Sequence, residues 1–418
     1  MTYRQSRRDF LQRTALVTGG LILGSHFPDI RTLAASQDGP QEIVRLGIIG
    51  TGSRGQYLMN HLNLIPGVEI VAVCDNYGPN LERGVQMTGG KATQFTDYRK
   101  LLEMDGMDGL IIATPLHLHS VMTVEALQSG LHVFCEKAMA KTPGECLNMY
   151  NAQQASGKIL LIGHQRMFNP RYLKAFEMIN HGQLGNITQI RAYWHRNNDW
   201  RRIVPEPDLE EKINWRMYWK YSEGLMTELG SHQIQVANFI KKDFPRKVAG
   251  TGSINHWHDG REVFDNVNLV YEYADGSSLI YDSMISNAHY GLEEQIMGPL
   301  GTMELELGRM YSENPPPAPG ILQLLNNIEH KIFDPLPLGG KSWIPETAVK
   351  NRGEYIYEVD LDDDGTALEM EGFAQMIRDN RHSDILLREA YYASIAAVLG
   401  NEAIKRGEVV EFPEEYIL

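Results

Sequence analysis

Cysteine is scarce in this chain, which has 3 cysteines among 418 residues. Cys74, Cys135 and Cys146 each lie within an apolar or helical pattern. Their odd number and their spacing match neither a disulfide framework nor a zinc site. His256 and His258 show no zinc-like spacing either. We therefore predict three small buried residues and no metal centre.

Positive charge and long apolar runs are also lacking. Asp and Glu total 53 against 39 Lys and Arg, which gives a formal net charge of -14 at pH 7. Phosphate-backbone binding needs a clustered basic surface, and no Lys/Arg-rich block is present, which excludes a nucleic-acid partner. No segment after the N-terminus supplies the ~20 apolar residues that cross a bilayer, so we expect no stable membrane span in the mature protein. With 43% hydrophobic and 22% charged residues, the chain is long enough for two domains with separate cores.

The first 36 residues differ from the rest of the chain. They contain the string SRRDFL at residues 6–11, a mostly apolar stretch at residues 14–23, and small residues up to Ala35. This order is typical of a twin-arginine export signal. The alternatives are a chance arginine pair and an uncleaved tail that tethers the protein to a membrane. We predict export by the twin-arginine route to the periplasm.

After the signal segment, short apolar runs alternate with helical patterns. The predicted strands are residues 43–50, 68–74, 109–113, 131–135 and 159–162, and the helices between them include residues 53–64, 98–103, 118–129 and 144–156. Strands that alternate with helices require parallel crossover connections. Residues 43–165 are therefore predicted to form an α/β domain with a doubly wound parallel sheet.

The pattern changes near residue 166. Alternating runs without intervening helices follow at residues 187–196, 249–256, 267–273, 278–283 and 302–307. They predict a second α/β domain over residues 166–418, with an open, largely antiparallel sheet. Residues 314–320 and 338–341 indicate a long loop. Two helices at residues 366–378 and 385–406 finish the chain, where they can pack back on the first domain.

A glycine-rich string follows the first predicted strand. Gly50-Thr51-Gly52-Ser53-Arg54-Gly55 has G-x-G-x-x-G spacing. The first glycine permits a tight turn, the second allows close approach of a pyrophosphate, and the third allows the helix to pack closely on the strand. Asp75 ends the second strand, where a carboxylate accepts from ribose hydroxyls and repels a 2′-phosphate. A Rossmann domain that binds NAD is predicted, and Arg54 and Arg83 leave NADP open.

Three later strings resemble successive motifs of the Gfo/Idh/MocA oxidoreductase family: ATPLHLH at residues 113–119, GLHVFCEK at residues 130–137, and GHQR at residues 163–166. The resemblance runs from about residue 43 to the C-terminus. It implies a Rossmann domain followed by an α/β domain whose open sheet presents the substrate cleft and makes contacts in a homo-oligomer. The cofactor residues that it implies, together with the glycine string, are Gly50, Gly52, Ser53, Arg54, Gly55, Asp75, Thr114, Pro115, His117, Glu136, Lys137 and Gln165. The family usually has E-K-P where this chain has Glu136-Lys137-Ala138.

In the second domain, the segment GLMTELGSH at residues 224–232 resembles a further family motif, with Glu228 where aspartate is commoner. Oxidation of a secondary alcohol needs a base for the hydroxyl proton and a cation or donors for the developing alkoxide. With the resemblance, His232 is expected to act as the base and Lys137 to hold and polarise the oxygen. Glu228 is expected to orient one of them. The division of proton transfer between Lys137 and His232 stays open.

Aromatic and basic residues are concentrated in YWHRNNDWRR at residues 193–202 and NWRMYWKY at residues 214–221. Aromatic faces stack on sugar rings, so this density suits a carbohydrate cleft, although the same residues could fill a core. Trp200 and Trp215 are the candidate platforms. The candidate substrate-binding residues are Arg166, His195 and Arg216.

Three functions remain open at this point. The first is an NAD-linked sugar or glycoside dehydrogenase, whose cofactor would be tightly bound and recycled because free dinucleotide is scarce outside the cytoplasm. The second is a redox-neutral, NAD-dependent glycosidase, which occurs within the family. It is placed second because the N-acetylgalactosaminidase branch resembles G-x-L-Y-P-T-H where this chain has residues 224–232 as GLMTELGSH. The third, a non-catalytic sugar-binding protein, is disfavoured because Lys137 and His232 are both present.

Overall fold

The computed structural model describes residues 42–313, 353–357 and 364–418. The proposed export signal at residues 1–36 and the loop segments at residues 314–320 and 338–341 lie outside the described residues. Within the described ranges, no helix combines the length and the hydropathy needed to cross a membrane.

The first domain is built on a parallel sheet of six strands. The strands are β1 (Val44–Ile49), β2 (Val68–Cys74), β3 (Thr93–Phe95), β4 (Gly109–Ile112), β5 (His132–Glu136) and β6 (Leu160–Gly163). Their order is β3-β2-β1-β4-β5-β6, and every pairing is parallel. The chain reverses direction across the sheet between β1 and β4, which is where ligands bind in doubly wound folds. The predicted Rossmann sheet is confirmed.

Five helices cover this sheet: α1 (Ser53–Leu62), α2 (Gly78–Met87), α3 (Tyr98–Leu102), α4 (His119–Gln128) and α5 (Pro143–Ser156). Local sequence explains the bounds of α5. Thr142 and Glu145 form a reciprocal capping box, Pro143 occupies the first turn, and Gly157 ends the helix with a φ of 64°. The buried face of α1 repeats at helical spacing, and the helix contacts β2.

The second domain contains a sheet of nine strands. They are β7 (Gln189–His195), β8 (Lys247–Ser253), β9 (Asn266–Glu272), β10 (Ser278–Met284), β11 (Leu292–Gly298), β12 (Gly301–Glu304), β13 (Arg309–Ser312), β14 (Glu354–Tyr355) and β15 (Val410–Glu411). Their order is β14-β13-β12-β11-β7-β10-β9-β8-β15. Among the described strands of this second sheet, only the β7 and β10 pair is parallel. The expected open, largely antiparallel sheet is confirmed.

The remaining helices are α6 (Pro170–Asn180), α7 (Glu210–Ile213), α8 (Ser231–Lys241), α9 (Thr366–Asp379) and α10 (Asp384–Arg406). A single π-helical turn, Met226–Gly230, leads directly into α8. Helix α10 packs on α8 and β8 of the second domain and also contacts α5 and β6 of the first, while α9 contacts α1. Helix α10 therefore contacts both domains, and α9 packs back on the first domain.

Candidate active site

A cleft of about 1520 Å³ lies over the carboxyl ends of β1, β2, β4 and β5 and extends to the second domain. Its first-domain wall contains the glycine-rich turn and the strand-end motifs, and its second-domain wall contains residues between β7 and α8. Pockets for single small molecules are about 300–1,000 Å³. The cleft is therefore large enough for a dinucleotide together with a second molecule.

The turn between β1 and α1 is built around glycines. Gly50 has a φ of 90°, and a Cβ atom there would lie 2.6 Å from the carbonyl oxygen of Ala113. A Cβ atom on Gly55 would lie 1.9 Å from the carbonyl oxygen of Gly50. Gly52, in contrast, has no atom closer than 3.6 Å to such a position and lines the cleft. The first and third glycines allow the turn to form, and the second leaves the backbone open to a bound anion at the N-terminus of α1.

Asp75 follows β2 and faces the same cleft. One carboxylate oxygen accepts from the backbone N–H of Thr51 at 2.9 Å, and the other accepts from the backbone N–H of Tyr77 at 2.8 Å. These bonds fix the carboxylate beside the glycine turn and leave lone pairs for ribose hydroxyls. Together, the open Gly52 backbone and the fixed Asp75 carboxylate fit a dinucleotide.

The other predicted cofactor residues lie mostly along the same wall. The cleft is lined by Gly50, Gly52, Ser53, Arg54, Asp75, Thr114, Pro115, His117, Glu136, Lys137 and Gln165. Gly55 lies buried beneath the turn and supports it. Arg54 donates from Nε to Glu136 at 2.6 Å, so its charge is already paired, while Arg83 is exposed and near Gln86. Neither arginine is placed as a dedicated partner for a 2′-phosphate.

Lys137 follows β5 and is half-buried at the boundary between the domains. Its Nζ donates to the carbonyl oxygen of Glu228 at 2.9 Å and lies 3.4 Å from that of Thr227. Burial lowers the pKa of Lys137, although the charges of Glu228 and Glu136 oppose this shift. The peptide bond between Lys137 and Ala138 is cis. The second domain thus holds the ammonium group in position through main-chain oxygens.

His232 lies in the first turn of α8 and lines the cleft. Its ring centroid is 5.5 Å from that of His164 and 5.8 Å from that of Trp194. In the described part of the chain, its Nδ1 has no hydrogen-bond partner. Burial, and then the charge of Lys137, lower the pKa of His232 well below 6.5. The imidazole is therefore neutral and able to accept a proton.

Glu228 lies in the π-helical turn that precedes α8. Its carboxylate accepts from Nε of Arg216 at 2.7 Å. Burial alone would raise the pKa of Glu228, but Arg216 and Lys137 outweigh this effect and lower it. The expected orienting contact therefore takes a different form, because Glu228 holds Lys137 by its main-chain oxygen and pairs its carboxylate with Arg216.

Of the three residues expected to bind substrate, only Arg216 lines the cleft, together with the platform candidates Trp200 and Trp215. Arg166 is 5% exposed, and its guanidinium pairs with Glu294 at 2.8 Å. His195 contacts Asp282, with 2.5 Å between Nε2 and Oδ2. The structure places Arg166 in an internal ion pair and His195 in a contact with Asp282, both outside the cleft lining.

The alternation of β7 explains the position of His195. Successive side chains on a strand point to opposite faces. Trp194 and Arg196 line the cleft, so His195 between them points the other way. The guanidinium of Arg196 lies 5.0 Å from the centroid of a Trp194 ring, and burial lowers its pKa. The sequence analysis did not name Arg196 as a site residue. The alternation within residues 187–196 nevertheless predicts that its side chain shares a face with that of Trp194.

His119 is a second residue whose role was missed. It is 2% exposed, and its ring nitrogens lie 2.9 Å from the carbonyl oxygen of Ala138 and 3.0 Å from that of Thr114. It therefore connects the loop after β4 with the residue that follows Lys137. The motif at residues 113–119 ends on this histidine, but no sequence rule indicated which loop its ring would join.

A doubly wound sheet with this glycine turn and a fixed carboxylate after β2 is an NAD-binding domain, and a second domain completes its cleft. The fold and the site thus define the class of NAD-binding oxidoreductases. Residues 44–164 match the family model described as "Oxidoreductase family, NAD-binding Rossmann fold", and residues 172–304 match the "GFO/IDH/MocA C-terminal domain". The chain belongs to the Gfo/Idh/MocA family.

Individual relatives are distant. An uncharacterized oxidoreductase of Streptococcus pneumoniae serotype 4 is 27% identical over 269 residues, which are 63% of this chain and 69% of that protein. A glycosyl hydrolase family 109 protein of Shewanella putrefaciens is 27% identical over 234 residues, which are 51% of this chain. The match spans only 50% of the length of that glycosyl hydrolase.

Two solved structures show the same fold. Myo-inositol 2-dehydrogenase from Lactobacillus plantarum superposes with a TM-score of 0.68 at 19% identity, over 89% of this chain and 100% of that one. A levoglucosan dehydrogenase in complex with NADH and levoglucosan gives a TM-score of 0.69 at 16% identity, also over 89% of this chain and 100% of that one. Both domains of this protein are therefore arranged as in these dehydrogenases.

Proposed function

We propose that the protein is an NAD(H)-dependent oxidoreductase that acts on a secondary hydroxyl of a sugar or glycoside. The observation that carries the proposal is that Lys137 and His232 line one cleft with the glycine turn and Asp75. A cation and a neutral base are the two groups that alcohol oxidation requires of the protein. Asp75 favours NAD over NADP.

When bound, NAD supplies a nicotinamide C4 that accepts or returns a hydride. Lys137 holds the substrate oxygen and stabilises its negative charge as the hydroxyl proton leaves. His232 takes that proton on its neutral ring, and the same proton can return when the carbonyl product is reduced. His119 and the main-chain oxygen of Glu228 keep Lys137 and its loop in place.

A carbohydrate substrate is supported by the second-domain wall. Trp200 and Trp215 offer aromatic faces, and the guanidinium of Arg216 stacks 4.2 Å from the Trp215 ring. Rings of this kind stack on sugar faces, while arginine donates to hydroxyl groups. The dehydrogenases of similar fold are named for inositol and levoglucosan, which supports a polyhydroxylated substrate here.

We further propose that the enzyme is exported by the twin-arginine route to the periplasm and carries its cofactor with it. The string at residues 6–11 supports export. Turnover then requires that the hydride returns to a second sugar or to an electron acceptor while the dinucleotide stays bound. A homo-oligomer formed through the sheet of the second domain is part of the same proposal.

The second candidate is a redox-neutral glycosidase, and the relatives named glycosyl hydrolase family 109 favour it. Transient oxidation at C3 acidifies the C2 proton, which allows the C1 substituent to leave. Water then adds across the new double bond, and the C3 carbonyl is reduced, so the cofactor returns to its starting state. Lys137 and His232 would serve the oxidation and the reduction in the same way.

One assay separates these functions. Aryl glycosides with deuterium at C2 are incubated with the purified protein, with and without an added electron acceptor, and aglycone release and loss of deuterium are followed. A 3-keto sugar that accumulates without cleavage supports the dehydrogenase. Aglycone release with washout of C2 deuterium supports the glycosidase. Binding of the sugars with neither reaction would support a sugar-binding protein.

The role of Lys137 can be tested separately. Lys137→Ala should still bind dinucleotide but should lose turnover by about 100-fold or more, since the variant lacks the cation that stabilises the developing alkoxide. Lys100→Ala, which removes an exposed lysine from α3, serves as the control. A Lys137→Ala rate near that of Lys100→Ala would contradict the assignment.

A further inference from the structure

A segment of the second domain crosses the cofactor half of the cleft. This crossing segment, residues 196–215, joins the end of β7 to the residues before the π-helical turn, and much of it lines the cleft. It touches the first domain at two points. Nη1 of Arg202 donates to the hydroxyl of Ser53 at 2.7 Å, and Nζ of Lys212 donates to the carbonyl oxygen of Asn76 at 2.7 Å.

The two contact points mark the two parts of a dinucleotide site. Ser53 is the first residue of α1 and follows Gly52, where the backbone is open to a pyrophosphate. Asn76 follows Asp75, the carboxylate placed for ribose hydroxyls. The crossing segment thus passes over the phosphate side and the ribose side of the same groove.

The position of Arg202 is fixed by the fold. The side chain of Asn214 holds the main chain of Arg202 on both sides, since Oδ1 accepts from its N–H at 2.8 Å and Nδ2 donates to its carbonyl oxygen at 3.1 Å. The neighbouring Arg201 is anchored by Glu210 and Asp259. These contacts fix the main chain around Arg201 and Arg202 within the second domain. The side chain of Arg202 extends from there toward α1.

Ion pairing distinguishes Arg202 from three other arginines of the cleft. Arg54, Arg201 and Arg216 each pair with a carboxylate in the cleft. In the part of the chain that the structure describes, the guanidinium of Arg202 has no such partner, and it donates to the Ser53 hydroxyl. Partial burial, and then the nearby Arg216, lower the pKa of Arg202, although the residue as a whole is exposed. An anion beside Ser53 would supply the missing negative charge.

We propose that Arg202 binds the pyrophosphate of the dinucleotide and that residues 196–215 form a strap that retains the cofactor between the domains. Arg202 adds charge-assisted hydrogen bonds to those of the Gly52 turn. Lys212 closes the ribose side by its bond to Asn76. The strap accounts for a retained, recycled dinucleotide. The inference therefore rests on the retention of the cofactor that is part of the proposed function.

The test measures release of NADH from the full-length protein, independent of any sugar. NADH-loaded protein is mixed with excess NAD, which replaces each NADH molecule that dissociates. The loss of the fluorescence of bound NADH gives the dissociation rate. Arg202→Ala should raise this rate about tenfold or more, because charge-assisted bonds to the phosphates are lost. Lys212→Ala should also raise it, by a smaller factor. Lys220→Ala removes an equal charge from an exposed side chain that does not line the cleft, and it should release NADH at the native rate.

Two probes assign the effect to the pyrophosphate. Arg202→Ala should weaken binding of ADP-ribose but leave binding of adenosine unchanged, and Arg202→Lys should restore part of the loss. Native-like thermal unfolding of each variant shows that the fold is intact, and Arg202→Gln replaces any variant that fails this check. Equal NADH release from Arg202→Ala, Lys220→Ala and the native protein would overturn the strap. That result would leave the proposed sugar oxidation standing, whereas a protein that retains NADH but oxidises no sugar would keep the strap and remove the proposed function.

Discussion

Lys137 and His232 are both withdrawn from solvent, and burial moves the pKa of each toward its uncharged form. The two side chains respond differently because their surroundings differ. Lys137 has two main-chain oxygens as acceptors and two carboxylates nearby, which favour its charge. His232 has the positive charge of Lys137 nearby and no partner for Nδ1 in the described residues. The surroundings of Lys137 thus oppose the loss of its charge, whereas those of His232 favour its neutral form.

The pH dependence of the proposed sugar oxidation, with His232 as its base and Lys137 as its cation, follows from these directions. Activity requires neutral His232, so it falls as the pH drops through a pKa that lies below 6.5. Activity also requires charged Lys137, so it falls as the pH rises through a pKa that lies below 10.5. We expect a bell-shaped profile of kcat/KM with both limbs displaced toward acid. Lys137→Arg should extend the alkaline limb, because the guanidinium stays charged. An acid limb above pH 6.5 would contradict the role of His232.

At the scale of elements, strands with apolar runs were predictable and a strand with buried acidic side chains was not. β11 (Leu292–Gly298) was missed because it contains Glu293 and Glu294, which are 1% and 0% exposed. Three backbone N–H groups donate to Glu293, from Glu294, Glu306 and Leu307. Glu294 pairs with Arg166 and accepts from Tyr172. The groups that make these carboxylates tolerable in a core come from distant segments, so no local pattern reveals them.

In the glycine turn, the contribution to cofactor binding can be separated from the contribution to stability. Gly52→Ala should fold with nearly native stability, because its Cβ atom meets nothing within 3.6 Å, but should bind NADH about tenfold or more weakly. Gly55→Ala should lower the free energy of unfolding by about 1–3 kcal/mol or more, because its Cβ atom would overlap the Gly50 carbonyl oxygen. Thermal unfolding and NADH titration measure the two effects. Equal loss of stability in both variants would contradict this division.

For the whole molecule, the C-terminal helices join the two domains. α10 packs on the second sheet and contacts α5 and β6 of the first domain. The backbone N–H of Met139, two residues after Lys137, donates to the hydroxyl of Ser394 on α10 at 2.9 Å, and both residues are fully buried. The loop that carries Lys137 is thus held in part by α10.

This dependence can be measured. Ser394→Ala leaves a buried N–H without an acceptor and should lower the free energy of unfolding by about 1–3 kcal/mol. Ser129→Ala removes an exposed hydroxyl that bonds within its own helix end and should change stability by no more than about 0.5 kcal/mol. Urea unfolding measures the free energy of unfolding of both variants. The dependence of that free energy on urea concentration should stay unchanged. Equal stability of the two variants would show that the link between α10 and the Lys137 loop contributes nothing.

The sequence by itself determined the fold class, the cofactor and the strand ends that line the cleft, because hydrophobic period and glycine spacing are local properties. Only the tertiary structure decided which charged residues remain available in the cleft. Arg166 and His195 are taken up by carboxylates from distant strands, whereas Arg202 is left facing α1. Ion pairing depends on which segments meet in space, and that information is absent from the spacing of residues along the chain.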